Sequence, residues 1–426
     1  MTIYYVAKTG NNTNPGTESQ PFLTIQKAAN VAIAGDTVYV KVGTYTEHVI
    51  FPNSGALGRY ITFQNYSTDV VIIKPPIKTY LKWDQANPIH HSGNLEMIGK
   101  AYIKIKGFKF IGNGSEAVPD GVISIEQGGN NILIDGNIMD DIWTSAVIAG
   151  YYKPSGESYG AWDIIFTNNY VRRPNGGWVE LMSYDSVNRP DISYNSFAYQ
   201  VFGEGLDYKS GTDNGVISYN YIDNCWHPTA GPGGTKMKWV AIYIDAYDEG
   251  ASNNHIFNNI ISNAGGVVVG SEMGGLAQNN VFYNNIIFDS TLGFGTGYCC
   301  SPYTPNEQNN IFINNTTYNI ESMAYFAERG KNNIFRNNIA YGNGSIIINT
   351  QNIQDHNLFS IDPQFVNAAG HDFHIKSTSP AINQGNPTGA PPIDFDGNPR
   401  IGIPDIGAYE YTSSPTCPQL SVLLTM

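Results

Sequence analysis

Eight short runs of this chain end on an asparagine in the same setting. They are NNILIDGNIM (130–139), WDIIFTNNYV (162–171), PDISYNSF (190–197), GVISYNYI (215–222), NNHIFNNII (253–261), NNVFYNNII (279–287), NNIFINNTT (309–317) and KNNIFRNNIA (331–340). Taking Asn137, Asn169, Asn195, Asn220, Asn259, Asn285, Asn315 and Asn338 as equivalent gives steps of 32, 26, 25, 39, 26, 30 and 23 residues. A unit this short cannot bury a core by itself, so its copies must stack. A base period of 23 to 26 residues fits one coil of a parallel β-helix, with about three short strands per coil. The longer steps are coils carrying an inserted loop. Leucine-rich repeats would need regularly placed leucines, and propeller blades a longer period. An asparagine amide can bond the tight turn of its own coil and the asparagine of the next, which predicts a ladder along the axis.

The ends read differently. In PFLTIQKAANVAIAGDTVYVKVGTYTE (21–47), Thr24 is a plausible N-cap, and Ile25, Ala28, Ala29 and Ala32 share one face. This predicts a capping helix over 21–34 that covers the open end of the solenoid. Residues 360–411 are Pro- and Gly-rich and lose the ladder, so they read as a closing segment. Residues 412–426 read as a tail or linker, leaving 1–411 as one domain.

Composition agrees. Glycine (45) and tyrosine (28) are abundant and charged residues make up only 14%, which suits short strands and turns better than amphipathic helices. The net charge is −13 and no Lys/Arg-rich run is present, which argues against a nucleic-acid partner. No apolar run reaches the ~20 residues of a membrane span. Cys225, Cys299, Cys300 and Cys417 match no zinc spacing and read as buried small residues or one bridge. MTIYYVAKTG lacks a signal-peptide pattern. The Asn-rich, Lys-poor surface suits a secreted monomer whose leader has been removed.

The repeat also allows coils to be compared position by position. Counting back 11 from Asn220, Asn195 and Asn137 gives Lys209, Tyr184 and Glu126. Lys209 follows LDY, where Leu206 and Tyr208 take one face and Asp207 and Lys209 the other. Tyr184 and Lys209 are thus expected on adjacent rungs about 4.8 Å apart. The same outer face is expected to carry Glu126, Glu180, Asp207, Asp245 and Glu272. Two insertions, 148–162 and 226–239, would wall it with aromatic residues: Tyr151, Tyr152, Tyr159 and Trp162, then Trp226, His227 and Trp239. Arg172, Arg173, Arg189, Lys236 and Lys238 form the expected basic patch, although arginines often serve only to bond turns.

The opening pattern, the asparagine coils and the closing DIGAYEY together resemble the right-handed parallel β-helix proteins of the pectate-lyase-like superfamily. That resemblance implies an all-β, single-domain right-handed solenoid. GEGLDYKS (203–210) is similar to β-helix lyases of the chondroitinase B and alginate lyase kind, in which a glutamate precedes the catalytic lysine by five residues, as Glu204 precedes Lys209. The implied activity is β-elimination on an acidic polysaccharide, alginate first. Lys209 and Tyr184 would be base and acid, and the roles are interchangeable. In that family calcium neutralises the substrate and an arginine stands one coil on. Here Asp245 or Asp248 stands at that position, so the resemblance points to the lyases that need no metal, with Tyr184 and Arg172, Arg173 or Arg189 as substitutes; calcium on Asp207, Asp245, Asp248 and Glu272 stays open. Two other readings remain: a glycoside hydrolase using Asp207, Asp245 and Glu272, and a non-catalytic polysaccharide binder of the tailspike or adhesin kind.

Overall fold

A computed structural model describes residues 1–76, 93–112, 121–140, 142, 145–150, 160–172, 179–181, 189–198, 204–209, 211–231, 234–247, 249–271, 274–297 and 306–413. The chain is a parallel β-helix with almost no helix. Its contacts group into two compact units that divide between Thr212 and Asp213.

In the first unit, successive strands fall in turn onto three parallel sheets. The first sheet runs from Ile3–Val6 through Thr37–Val40, Ile61–Asn65, Ala101–Lys106, Asn130–Asp135 and Trp162–Thr167 to Asp191–Ser193. The second comprises Val49–Ile50, Gly93–Ile98, Gly121–Glu126, Ser145–Ala149, Val179–Leu181 and Leu206–Tyr208. The third runs from Gly43–Thr46 to Ser196–Ala198. The second unit repeats the plan, with Ile242–Asp245, Val267–Gly270, Leu292–Thr296, Met323–Ala327 and Ser345–Ile348 on its second sheet. Alternate residues point inward. Val38, Phe63, Ile105, Ile134 and Phe166 line one interior wall of the first unit. In the second unit Phe282, Phe312 and Phe335 stack with centroids 4.6 and 4.7 Å apart.

The asparagine ladder is present in both units. Asn137 Nδ2 donates to Asn169 Oδ1 at 3.0 Å, and Asn169 to Asn195 at 3.1 Å. In the second unit the chain of bonds runs Asn220, Asn259, Asn285, Asn315, Asn338 and on to Asn357. A parallel ladder joins Asn254, Asn280, Asn310, Asn333 and Asn352 at another corner. The recurrent NN pair explains both. Its first asparagine (253, 279, 309 and 332, or 258, 284, 314 and 337) sits at φ between +53° and +58°. Asparagine tolerates that left-handed conformation better than other side-chain-bearing residues. Its second asparagine turns inward and carries the ladder.

The helix is shorter than the expected 21–34. It spans Ile25–Val31, with Thr24 as N-cap accepting from Lys27 N at 3.2 Å and Ile25, Ala28 and Ala29 buried. Seven residues are about two turns, too few to stand without tertiary packing.

The 360–411 segment lies along the flank of the second unit. Phe365, Phe373, Ile375, Ile406 and Tyr409 pack on Ile260, Ile286, Phe288, Ile339 and Leu358, the outward residues of the third sheet. Arg400 is buried there, donating to Glu410 Oε1 at 2.9 Å and Asn284 Oδ1 at 3.0 Å. His374 stacks on Tyr409, and its two ring nitrogens face Asp372 (2.6 Å) and Asp396 (2.8 Å). Burial draws the imidazole toward its neutral form, but bonds to Asp396 and Asp372 outweigh this and raise its pKa. A raised histidine pKa contributes stability that is full below the unfolded value, ~6.5, and is lost as pH rises through the folded one. The denaturation midpoint of the protein is therefore expected to fall as pH rises above that value, and His374→Gln to remove that part of the slope. Equal slopes in the two proteins would refute the assignment.

Candidate functional site

Lys209 follows the strand Leu206–Tyr208 directly, at the end of the second sheet of the first unit. Leu206 and Tyr208 point inward and are fully buried, as the alternation requires. Burial also holds the Tyr208 phenol far above its ordinary pKa. Asp207 faces outward, yet it is only 1% exposed. Lys209 Nζ lies 2.9 Å from Asp207 Oδ2, and its side chain keeps 23% of its surface open. The lysine is thus a half-buried cation held against a buried carboxylate, and a freely solvated surface lysine would look different.

The outward positions of this sheet form columns. Register pairs Glu96 with Ser124, Ser124 with Ile148, Ile148 with Glu180 and Glu180 with Asp207. Next to it Glu126 is level with Ile98. Glu126 is buried and accepts from Ser124 Oγ at 2.9 Å. Glu96 is buried as well and lies 2.7 Å from His48 Nε2. This face therefore carries ionisable groups kept from solvent, an arrangement that costs free energy and is concentrated at functional sites.

Other expected members fall elsewhere. Between the rungs of interest Val179 pairs with Leu206 and Leu181 with Tyr208, a step of 27 residues. Counting from the asparagines gives 25 for the same step, so over the described strands the register differs from that count by two residues. The count crosses the connection from the second sheet to the first, and that connection differs in length between the two coils. Tyr184 itself, with Arg173, Tyr151 and Glu272, lies outside the described residues, as do Asp248, Tyr152 and Tyr159.

Arg172 and Arg189 do not join Lys209. Arg172 is on the third sheet, where its guanidinium grips Asp140 of the neighbouring rung through two hydrogen bonds, one of 2.6 Å. That bond raises its pKa further. Arg189 leads into the first sheet and is held by Asp163 at 2.8 and 3.0 Å. Both serve rung-to-rung bonding, which satisfies a planar guanidinium without any substrate.

The 226–239 insertion is an antiparallel hairpin of Trp226–Gly231 and Thr235–Lys238 in the second unit. Its aromatic rings are half-buried and contact other groups of the insertion. Lys236 Nζ sits 4.2 Å from the Trp226 ring centroid, and His227 packs on Trp239 at 5.1 Å. Lys238 is anchored to Glu321 at 2.6 Å and to the carbonyl of Asp289. Asp245 is fully buried on the second sheet of that unit, level with Gly270. Cys225 is buried, with its Sγ 3.4 Å from the carbonyl of Val240; the other three cysteines lie outside the described residues.

Sequence reasoning missed Glu96, Ser124 and His48. Their coils precede Asn137, and the ladder position there is filled differently. Gly107 takes the left-handed turn at φ +70°, and Phe108 N donates to Asn137 Oδ1. The usable signal was the alternation in GNLEMI (93–98) and GVISIE (121–126).

Comparison with known proteins places this geometry. Over 69 residues the chain is 42% identical to the uncharacterized protein YwoF of Bacillus subtilis (strain 168), a match spanning 16% of this chain and only 15% of that protein. Among solved structures, XylC in complex with xylose matches 96% of this chain and 98% of its own, with TM-score 0.63 and 14% identity. The pectate lyase Pel9A matches 97% of each chain with TM-score 0.50 and 15% identity. A rhamnogalacturonan lyase matches 86% of this chain and 91% of its own, with TM-score 0.50 and 14% identity. These are likenesses of fold. A family model described as the Pel9A-like, right-handed beta helix region matches residues 4–294, so the chain belongs to the Pel9A-like family of right-handed β-helix proteins.

Proposed function

We propose that this chain is a polysaccharide lyase that cleaves a uronate-containing polymer by β-elimination, with Lys209 as the base. The observation that carries the reading is the Lys209–Asp207 pair on an outer face lined by buried carboxylates. In its neutral form the Lys209 amine takes the C5 proton of the sugar. The electron pair left behind forms the C4–C5 double bond, the C4–O bond breaks, and the departing oxygen collects a proton from an acid. The ammonium that forms on Lys209 then sits 2.9 Å from a fixed carboxylate. Charge that develops beside a preorganised counter-charge lowers the barrier. Tyr184 is the proposed acid.

With Arg172 and Arg189 committed to Asp140 and Asp163, the cation that neutralises the substrate carboxylate must come from elsewhere. The metal-free route assigns this to Arg173. The first test is a panel of alginate, polygalacturonate, glucuronan and glycosaminoglycans, read by the ultraviolet absorbance of the new double bond. Alginate leads on the sequence resemblance, and polygalacturonate on the likeness to a pectate lyase. Product that appears undiminished in excess chelator supports the metal-free route; loss restored by Ca²⁺ replaces it. New reducing ends without ultraviolet absorbance would favour a glycoside hydrolase, and unchanged polymer a binding protein. A polymer-degrading role also accords with the proposed secretion.

A further inference from the structure

A cavity of about 590 Å³ lies in the second unit, where the chain leaves the second sheet and turns toward the first. Three rungs contribute to it: residues 306–308, 328–331 and 349–351. Its volume falls within the range of small-molecule sites, but its lining differs from the usual one. Every described residue around it is polar, charged or glycine. Such a lining fits a hydroxylated molecule better than an apolar one.

Arg329 gives the cavity its selectivity. Arg59, Arg172, Arg189, Arg336 and Arg400 each donate to a carbonyl or a carboxylate. Among the described residues, Arg329 is the one arginine whose guanidinium makes no hydrogen bond or ion pair, although the chain around it is well ordered by backbone bonds. Thr296 Oγ1 donates to its carbonyl at 3.2 Å, and the next turn is tied by Lys331 N to Glu307 O at 3.1 Å. Lys331, also on the cavity, makes no ion pair among the described residues. Behind them Glu307 is 2% exposed, and its Oε2 meets no donor among the described residues. Burial raises the pKa of its carboxyl, against the opposing pull of backbone N–H groups and the Arg329 charge. A guanidinium fork matches a planar carboxylate, and amides match ring hydroxyls.

We propose that this cavity is a second, non-catalytic binding site for an acidic sugar unit, with Arg329 on the carboxylate and Lys331, Asn306 and Gln308 on the hydroxyls. The argument uses nothing at Lys209 and goes beyond the lyase reading. The test is calorimetric titration of the full chain carrying Lys209→Ala, with galacturonate and glucuronate as ligands and methyl glucoside as the neutral control. Uronate binding is expected, and adding Arg329→Gln should weaken it at least tenfold, with Arg329→Lys intermediate because it keeps the charge and loses the fork. Melting curves of the variants should overlay, since the Arg329 guanidinium makes no hydrogen bond or ion pair among the described residues. Three results would overturn the proposal: no uronate binding at ~10 mM, an affinity that corresponds to only a few kcal/mol; equal binding of the neutral sugar; or binding untouched by Arg329→Gln. None of them bears on whether Lys209 cleaves polymer.

Discussion

Lys209→Arg should lower turnover of the cleaved polymer by about 10²- to 10⁴-fold, the usual contribution of a positioned general base. The arginine keeps a cation beside Asp207, so the fold and the ion pair survive, but a guanidinium stays protonated and cannot accept the C5 proton. Lys209→Ala should be as inactive and also less stable, because it removes the ion pair that Lys209 makes with the buried Asp207 carboxylate. Removing one partner of a buried pair typically costs about 3–5 kcal/mol, and the partial exposure of Lys209 reduces that figure. The two variants therefore separate chemistry from structure. Initial rates by ultraviolet absorbance and melting midpoints, measured together, decide the matter. Wild-type rates in Lys209→Arg would show that the lysine is only a counter-ion.

The second large effect concerns the ladder. Asn285 Nδ2 donates to Asn315 Oδ1 at 3.0 Å and to the carbonyl of Ile256 at 2.7 Å, while its Oδ1 accepts from Asn259 N and Nδ2 at 3.1 and 2.9 Å. Asn285→Ala leaves several of these groups buried and unpaired at roughly 1–3 kcal/mol each, so a total loss of about 3–5 kcal/mol is expected. Asn279→Gly is the informative contrast. Asn279 is exposed in the left-handed region at φ +56°, and glycine adopts that conformation freely. Its change should stay within about 1 kcal/mol. Urea midpoints of the two variants test the pair. A mild effect of Asn285→Ala would mean that rung stacking alone sustains the solenoid.

The ladder was legible because its geometry is local. A tight left-handed turn followed by an inward amide needs asparagine at one place in each coil, so Asn137 through Asn338 could be aligned by eye. The second ladder, Asn254 to Asn352, sits in the same NN-type pairs and was available to the same reasoning. The outward face was legible in parity: Asp207 and Lys209 point out while Leu206 and Tyr208 point in. Register was less so. The step between the Val179–Leu181 and Leu206–Tyr208 strands is 27 residues against 25 between the asparagines, because a connection of variable length stands between the ladder and the second sheet, and a difference of an even number of residues preserves the alternation that would have exposed it. The arginines failed for another reason. Arg172 and Arg189 are set beside Asp140 and Asp163 by stacking, and these partners lie 32 and 26 residues away in sequence. The packing of the 360–411 segment was not legible, because Phe365, Phe373 and Tyr409 meet residues such as Ile260 and Ile286 that are far away in sequence.

That flank has a consequence for how the protein is made. Ile260, Ile286, Phe288 and Ile339 emerge from the ribosome well before Phe373, Ile406 and Tyr409, the residues that cover them. Rungs can pile up as synthesis proceeds, but this greasy side stays bare until residues 365–409 have been made. A nascent chain in that condition is prone to cling to its neighbours. The strap thus works as a late fastening, and the interval before it closes is the vulnerable moment in the life of the molecule.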